Sequence, residues 1–373
     1  MKIRRSLVSL AAFATMASLA ACAAPESDSD NDAAGSDAAK ATSVEDFGDF
    51  DDLVKAAQDE GELNVIALPP DWANYGELIS TFEDKYDIKV NSAQPDAASQ
   101  DEINAANQLK GSDRAPDVFD LGQAVALANV DMYAPYQVQT WDDIPDEFKA
   151  ADGAWVNDYG GFMSIGYDSS AVPEIETLDD LLKPEFKGKV ALNGDPTQAG
   201  AAFSGVVMAS IANGGSVEDI KPGVDWFAKL KKAGNFIPVD PTPATIESGQ
   251  TPVVIDWDYN NAAITNDIDT WEVVVPAEAP IAGYYFQAIN ADAPHPAAAR
   301  LWQEFLYSDE GQNLWLAGGA RPIRADAMVE AGTIDEELWA NLPEVTGEPV
   351  VPTDKESELM ASYLADNWAK AVG

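Results

Sequence analysis

Gly160-Gly161-Phe162-Met163-Ser164-Ile165-Gly166-Tyr167 reads as an extended strand after a polar turn region, and Ala282-Gly283-Tyr284-Tyr285-Phe286-Gln287-Ala288-Ile289 reads as another after the proline-flanked stretch 273–280. When one lobe of a chain is inserted between two strands of another, those strands form a two-stranded hinge about which the halves can close. The inserted lobe is then 161–284, and the other lobe comprises 45–160 and 285–373 with its C-terminal helices. The competing reading makes both segments ordinary core strands of one large sheet.

Alternation of strands and helices extends outward from the hinge. Glu62-Leu63-Asn64-Val65-Ile66-Ala67-Leu68 follows Gly61 and reads as a strand. Leu78, Ile79, Phe82 and Tyr86 recur at helical spacing through 77–86, and Ile88-Lys89-Val90 reads as the next strand. The pattern continues through 116–121, Lys189-Val190-Ala191-Leu192, the apolar run 201–211 and Pro252-Val253-Val254-Ile255-Asp256. Such alternation predicts an α/β core of parallel strands.

The N-terminus carries a different signal. Lys2, Arg4 and Arg5 precede the mostly apolar stretch 6–18, and small residues close it, the three-part pattern of a secretory signal peptide over 1–21. The run is too short to span a bilayer. Cys22, the single cysteine, follows Leu19-Ala20-Ala21, and this tetrad resembles a bacterial lipobox, in which the cysteine takes a diacylglycerol and becomes the new N-terminus. Residues 22–44, rich in Ala, Ser, Asp and Gly, are expected to form a disordered acidic tether. The remainder is then a body held by lipid on the extracytoplasmic face of the cell membrane.

The body is acidic. Across the chain 64 acidic residues stand against 22 basic ones, a formal net charge of −42. A field of that sign argues against nucleic acid or anionic lipid as a partner and favours a cation. Solubility, or a salty habitat, accounts for the same excess.

Several motifs fall in one order: Asp71-Trp72-Ala73-Asn74-Tyr75 after the first strand, Leu182-Lys183-Pro184-Glu185-Phe186-Lys187-Gly188 before another, then Gly194-Asp195-Pro196-Thr197-Gln198. Ile255-Asp256-Trp257-Asp258-Tyr259-Asn260 follows. Phe305-Leu306-Tyr307-Ser308-Asp309-Glu310-Gly311-Gln312 and Arg321-Pro322-Ile323-Arg324 close the series. Over about residues 60–370 this order resembles extracellular solute-binding proteins of bacterial ABC importers, in particular the polyamine (spermidine/putrescine) branch, related to ferric-iron and thiamine binders. The resemblance implies a two-lobed α/β periplasmic-binding fold of type II, a small-molecule ligand, and ABC permease and ATPase subunits as partners. No cofactor is expected, and the protein is expected to be a monomer.

In open α/β sheets, ligands lie beyond the carboxyl ends of strands. Trp72 and Tyr75 follow the first strand, and their i, i+3 spacing puts both rings on one face if a helix begins there. The resemblance implies that they line the cleft; the competing reading packs them on the core. Trp257 follows the strand 253–255 and matches a cleft tryptophan of the family. Asp256 and Asp258 flank it, and in an extended segment both would point away from its ring. The strand is therefore expected to end here, leaving Asp258 as the nearer carboxylate, facing ligand or capping a helix. Asp195 matches a cleft carboxylate of the polyamine binders, and Gln198 stands where they often carry a second acid. Asp195-Pro196 also reads as a helix cap and first helical residue. Tyr285 stands where those proteins place a carboxylate near the hinge. An organic cation would lay its stem between Trp72, Tyr75 and Trp257 and meet carboxylates at its ends.

Ferric iron, which prefers phenolate and carboxylate oxygen, is the second candidate. Adjacent Tyr284 and Tyr285 face opposite ways in a strand. The iron binders resembling this chain pair two tyrosines where it has Tyr259-Asn260, so one is missing. His295 lies between Pro294 and Pro296 and reads as a loop residue. Phosphonate and thiamine-like solutes are the remaining binding candidates. A surface hydrolase would have to build a Ser-His-Asp set on His295. No Gly-x-Ser-x-Gly or His-Glu-x-x-His motif occurs, and an enzyme is not expected.

Overall fold

The computed structural model describes residues 37–343 and 345–373. The expected signal peptide, Cys22 and the first part of the expected tether lie outside the described residues. The helices are α1 (Phe50–Glu60), α2 (Tyr75–Tyr86), α3 (Ser99–Leu109), α4 (Gln123–Ala128), α5 (Gly200–Ala212), α6 (Lys221–Ala233), α7 (Pro243–Glu247), α8 (Asp258–Ala263), α9 (Pro296–Leu306), α10 (Asp309–Ala317), α11 (Ala325–Ala331), α12 (Glu336–Ala340) and α13 (Asp354–Ala371). The strands are β1 (Glu62–Ile66), β2 (Lys89–Ala93), β3 (Val118–Leu121), β4 (Tyr133–Ala134), β5 (Val156–Asp168), β6 (Val190–Leu192), β7 (Val253–Trp257), β8 (Trp271–Val274), β9 (Ala282–Asn290) and β10 (Arg321–Pro322).

The long strand β5 organises the molecule. Its residues 156–162 pair with β9, whereas Met163–Tyr167 pair with β7 and Ile165–Asp168 with β8. The main sheet runs β3-β9-β5-β7-β6, so β5 carries the ladder from one lobe into the other. The fold is α/β, of the two-lobed type II periplasmic-binding kind.

The expected all-parallel core is corrected. Among the strand pairs of the described residues only β1 with β2 and β6 with β7 are parallel, and β5 and β9 run antiparallel to their neighbours. The chain leaves one lobe along β5 and returns along β9, so the two crossings necessarily point in opposite directions.

Helical periodicity is satisfied by burial. Leu78, Phe82 and Tyr86 form the inner stripe of α2, where the Phe82 ring meets Trp302 of α9 at 5.0 Å. Each large apolar side chain buried in this way contributes about 1.5–3 kcal/mol. Two further local expectations are corrected. Trp72 precedes α2 rather than belonging to it, because Ala73 and Asn74 adopt left-handed φ values of 44° and 68°. Asp195 does not cap α5, which begins at Gly200; its carboxylate instead closes a turn with the Thr197 amide at 2.8 Å.

The expected tether also shortens. Ala38, Ala41 and Val44 are buried, and Arg300 of α9 donates to the Ala41 carbonyl at 2.8 Å and the Ala39 carbonyl at 3.0 Å. A stretch too poor in apolar residues to fold alone is held by its backbone carbonyls. At the other end α13 and the residues leading into it touch both lobes. Gln123 of α4 donates to the Pro352 carbonyl at 3.1 Å, and the Trp368 ring meets Phe227 of α6 at 5.3 Å. No helix among the described residues is long and apolar enough to cross a membrane.

Candidate ligand-binding site

Five aromatic rings meet where the lobes face each other. Trp72, from the turn after β1, stands edge-on to Tyr285 of β9 at 5.6 Å and to Tyr259 of α8 at 6.0 Å. Tyr159 of β5 stacks parallel to Tyr285 at 5.5 Å. Trp257 at the end of β7 stacks on Tyr259 at 6.3 Å and stands edge-on to Tyr285 at 6.4 Å. The cluster is possible because glycines occupy the adjoining hinge strands: a Cβ on Gly283 would lie 2.5 Å from the Trp257 ring, and one on Gly161 would lie 2.7 Å from the Tyr259 ring. The lobes also touch through backbone, since a Cβ on Gly122 would lie 2.7 Å from the Gly200 Cα. A crevice of about 50 Å³ remains between them, lined by Gly122, Gln198, Gly200, Phe203 and Ala361.

Behind the rings lies a polar network on the face of β3, β9 and β5. Tyr75 is fully buried; its hydroxyl donates to Asp120 Oδ2 at 2.7 Å and accepts from Gln287 Nε2 at 3.0 Å. Tyr159 donates to the same Asp120 oxygen at 3.2 Å and accepts from Trp72 Nε1 at 2.7 Å. Asp158, also fully buried, accepts the Tyr159 amide through Oδ1 at 2.7 Å. Asp120 Oδ1, Asp158 Oδ2 and Gln287 Oε1 have no hydrogen-bond partner. Burial pushes the Asp120 carboxyl up to about 7. Burial, with the Asp120 charge nearby, lifts Asp158 well above the carboxylate range. Glu102, whose Oε2 accepts the Asp120 amide at 3.0 Å, is lifted for the same two reasons.

The acids of the inserted lobe differ. Asp258 is the first residue of α8. Its Oδ1 accepts the Phe162 amide at 2.9 Å, and its Oδ2 pairs with Arg321 at 2.7 Å. Asp256 accepts the Trp257 amide at 2.7 Å, Asn193 Nδ2 at 2.8 Å and Asn260 Nδ2 at 3.2 Å. Burial raises it to about 7.

Of the residues chosen from sequence, Trp72, Tyr75, Trp257, Tyr259 and Tyr285 converge on this seam, although Tyr75 contributes its hydroxyl from within the core. Asp258 lies beside it in an ion pair. Gln198 reaches the inter-lobe crevice, while Asp195 is exposed outside it. Asp120, Asp158, Tyr159, Gln287 and Arg321 were not among the candidates. Asp120 lies one residue before the end of the strand 116–121, so the rule that ligands gather beyond strand ends would have pointed to its neighbourhood. Tyr284 turns away from Tyr285 and packs on Phe148 at 4.7 Å.

A larger crevice of about 490 Å³ lies elsewhere, along β1 and β2, lined by Glu60, Asn64, Asn91, Arg114 and His295 among others. The acids that contact its lining are already engaged: Asp117, behind it, pairs with His295 Nδ1 at 2.9 Å and accepts the Asn64 amide at 2.7 Å. Glu60 accepts the Ala297 and Ala298 amides. The smaller inter-lobe seam is the better candidate because its polar groups are not all satisfied.

The family model of the bacterial extracellular solute-binding proteins matches residues 117–341, more than half of the chain, and the protein belongs to that family. It is a binding protein and not an enzyme. Among solved structures, AfuA from Actinobacillus pleuropneumoniae, bound to fructose-6-phosphate, aligns with a TM-score of 0.63 at 18% identity over 83% of this chain and 98% of its own. Iron-bound HitA from Pseudomonas aeruginosa gives 0.59 at 18% over 84% and 99%. The spermidine/putrescine ABC transporter substrate-binding protein PotD from Streptococcus pneumoniae gives 0.55 at 16% over 84% and 99%. At these identities the likeness carries the fold alone. A sequence search of curated proteins finds no match.

Proposed function

We propose that this protein is the capture component of an ABC importer for an organic cation of the polyamine type, held between the lobes and released to a membrane permease and its ATPase. The observation that carries the reading is the pair Asp120 and Asp158: two buried carboxylates, each with an unpartnered oxygen, in a seam of aromatic rings from both lobes. Isolated buried charge is costly unless paired. An ammonium group neutralises that charge, and a desolvated cation over an aromatic face gains about 2 kcal/mol more. Anionic solutes meet the wrong field.

Iron is less well supported. Burial, reinforced by nearby acids, lifts the Tyr159 and Tyr259 phenols well above their ordinary range, and among the described residues no group of His, Cys, Asp and Glu suits a metal ion.

Thermal unfolding with and without candidate solutes tests the proposal. A bound amine at a hundredfold excess over its Kd adds about 2.7 kcal/mol of stability. Stabilisation by amines, with none by fructose-6-phosphate, supports the reading; the reverse pattern overturns it. Ferric iron that develops a visible phenolate charge-transfer band would replace it with the metal reading.

The N-terminal sequence supports export and acylation at Cys22. Labelled palmitate incorporated by cells expressing the protein, and lost in Cys22→Ala, is the expected result.

A further inference from the structure

Three acceptor oxygens stand unpartnered on neighbouring strands of one lobe: Asp120 Oδ1 on β3, Gln287 Oε1 on β9 and Asp158 Oδ2 on β5. Asp120 and Gln287 face each other in the β3–β9 register, and the Tyr75 hydroxyl joins them. All three side chains are more than nine-tenths buried, at 7%, 1% and 0% exposure for Asp120, Gln287 and Asp158. A buried acceptor left without a donor is costly, so this trio calls for donors.

The opposite lobe offers nothing equivalent. Both oxygens of Asp256 and both of Asp258 already have partners. Its unpartnered groups at the seam, Trp257 Nε1, the Tyr259 hydroxyl and Asn260 Oδ1, are neutral. Carboxylate oxygen without a partner is therefore concentrated at one end.

We infer that the ligand carries a single primary ammonium head, whose three N–H donors meet Asp120, Asp158 and Gln287, and a neutral tail that crosses the aromatic seam toward Tyr259 and Asn260. This inference rests on the organic-cation reading and narrows it to a monoamine, in place of the polyamine type. A primary ammonium supplies three donors. A quaternary ammonium has the charge and none of the donors. A diamine brings a second charge that finds no carboxylate with a free oxygen.

Calorimetric titration of the full chain with 5-amino-1-pentanol, its N,N,N-trimethyl analogue and 1,5-diaminopentane separates these cases. The amino alcohol is expected to bind, and the trimethyl compound to bind at least about tenfold more weakly because the acceptors stay unpaired. The diamine is expected to bind more weakly than the amino alcohol, because its second ammonium meets no carboxylate with a free oxygen. Asp120→Asn and Asp158→Asn are each expected to weaken the amino alcohol by about tenfold or more, and Asp256→Asn by less than about threefold. Circular dichroism of each variant establishes that it is folded.

Equal binding of the trimethyl compound overturns the inference and leaves a cation site. A diamine more than about tenfold tighter, or an Asp256→Asn loss matching that of Asp120→Asn, also overturns the single-headed ligand alone. Failure of all three compounds to bind overturns the organic-cation reading, and the inference with it.

Discussion

The two lobes carry buried aspartates at matching depth beside the same aromatic rings and use them differently. Asp256 and Asp258 spend their oxygens on backbone amides, Asn193, Asn260 and Arg321, and so fix the end of β7 and the start of α8. Asp120 and Asp158 each keep an oxygen without a partner. Equal burial thus yields acids with both oxygens partnered on one side and acids with one free oxygen on the other. What separates them is whether the fold supplies a donor.

Removing the donor is the hardest test of that contrast. Arg321→Met strands Asp258 as a buried unpaired charge, and loss of one partner from such a pair costs about 3–5 kcal/mol. Denaturant unfolding should show that loss, and an unchanged midpoint would mean that Asp258 is not held by its ion pair.

Acidity sharpens the contrast next. Asp120 and Asp256 both titrate at about 7 in the fold, above an ordinary unfolded value of about 3.9. The fold favours their protonated forms, so this stability is complete below about pH 4 and is lost as pH rises to about 7. Each accounts for at most about 4 kcal/mol, at 1.36 kcal/mol per unit. The ligand-free protein should therefore melt higher at pH 5 than at pH 7.5. A saturating amine should remove the Asp120 share and leave that of Asp256. A pH trend indifferent to amine would place Asp120 outside the ligand site.

Closure links the two sets of acids and rings. Gly122→Val forces a side chain against the Gly200 backbone. Overpacking of this kind costs about 1–3 kcal/mol, so amine affinity should fall by up to about a hundredfold with little change in unfolding of the ligand-free protein. Unchanged affinity would show that the lobes need not meet at this point. The smallest expected effect is at Trp72, where Trp72→Phe keeps a ring but deletes the 2.7 Å bond to the Tyr159 hydroxyl, a loss of about 1 kcal/mol measurable by thermal unfolding.

Periodicity and strand order made the α/β alternation legible, because a residue's inward or outward face is set by its place in the repeat. Four of the five aromatic residues of the seam could also be chosen from sequence, since each follows a strand or lies in one of the two crossings, whereas Tyr159 falls just before the first crossing and was not chosen. The carboxylates could not. Asp256, Asp258 and Asp195 were visible beside motifs, yet the first two proved satisfied and the third exposed. Asp120 is marked only by its place near the end of the strand 116–121, and Asp158 sits among 64 acidic residues with no local mark to separate it.

The amino-acid order by itself determined where β5 and β9 lie and that glycines punctuate them, because extended-chain pattern is a local property. Only tertiary structure decided which acids keep a free oxygen. Hydrogen-bond partners come from residues distant in the chain: Tyr75 for Asp120 is 45 positions away, and Arg321 for Asp258 is 63. Whether a buried charge is spent or available depends on those encounters.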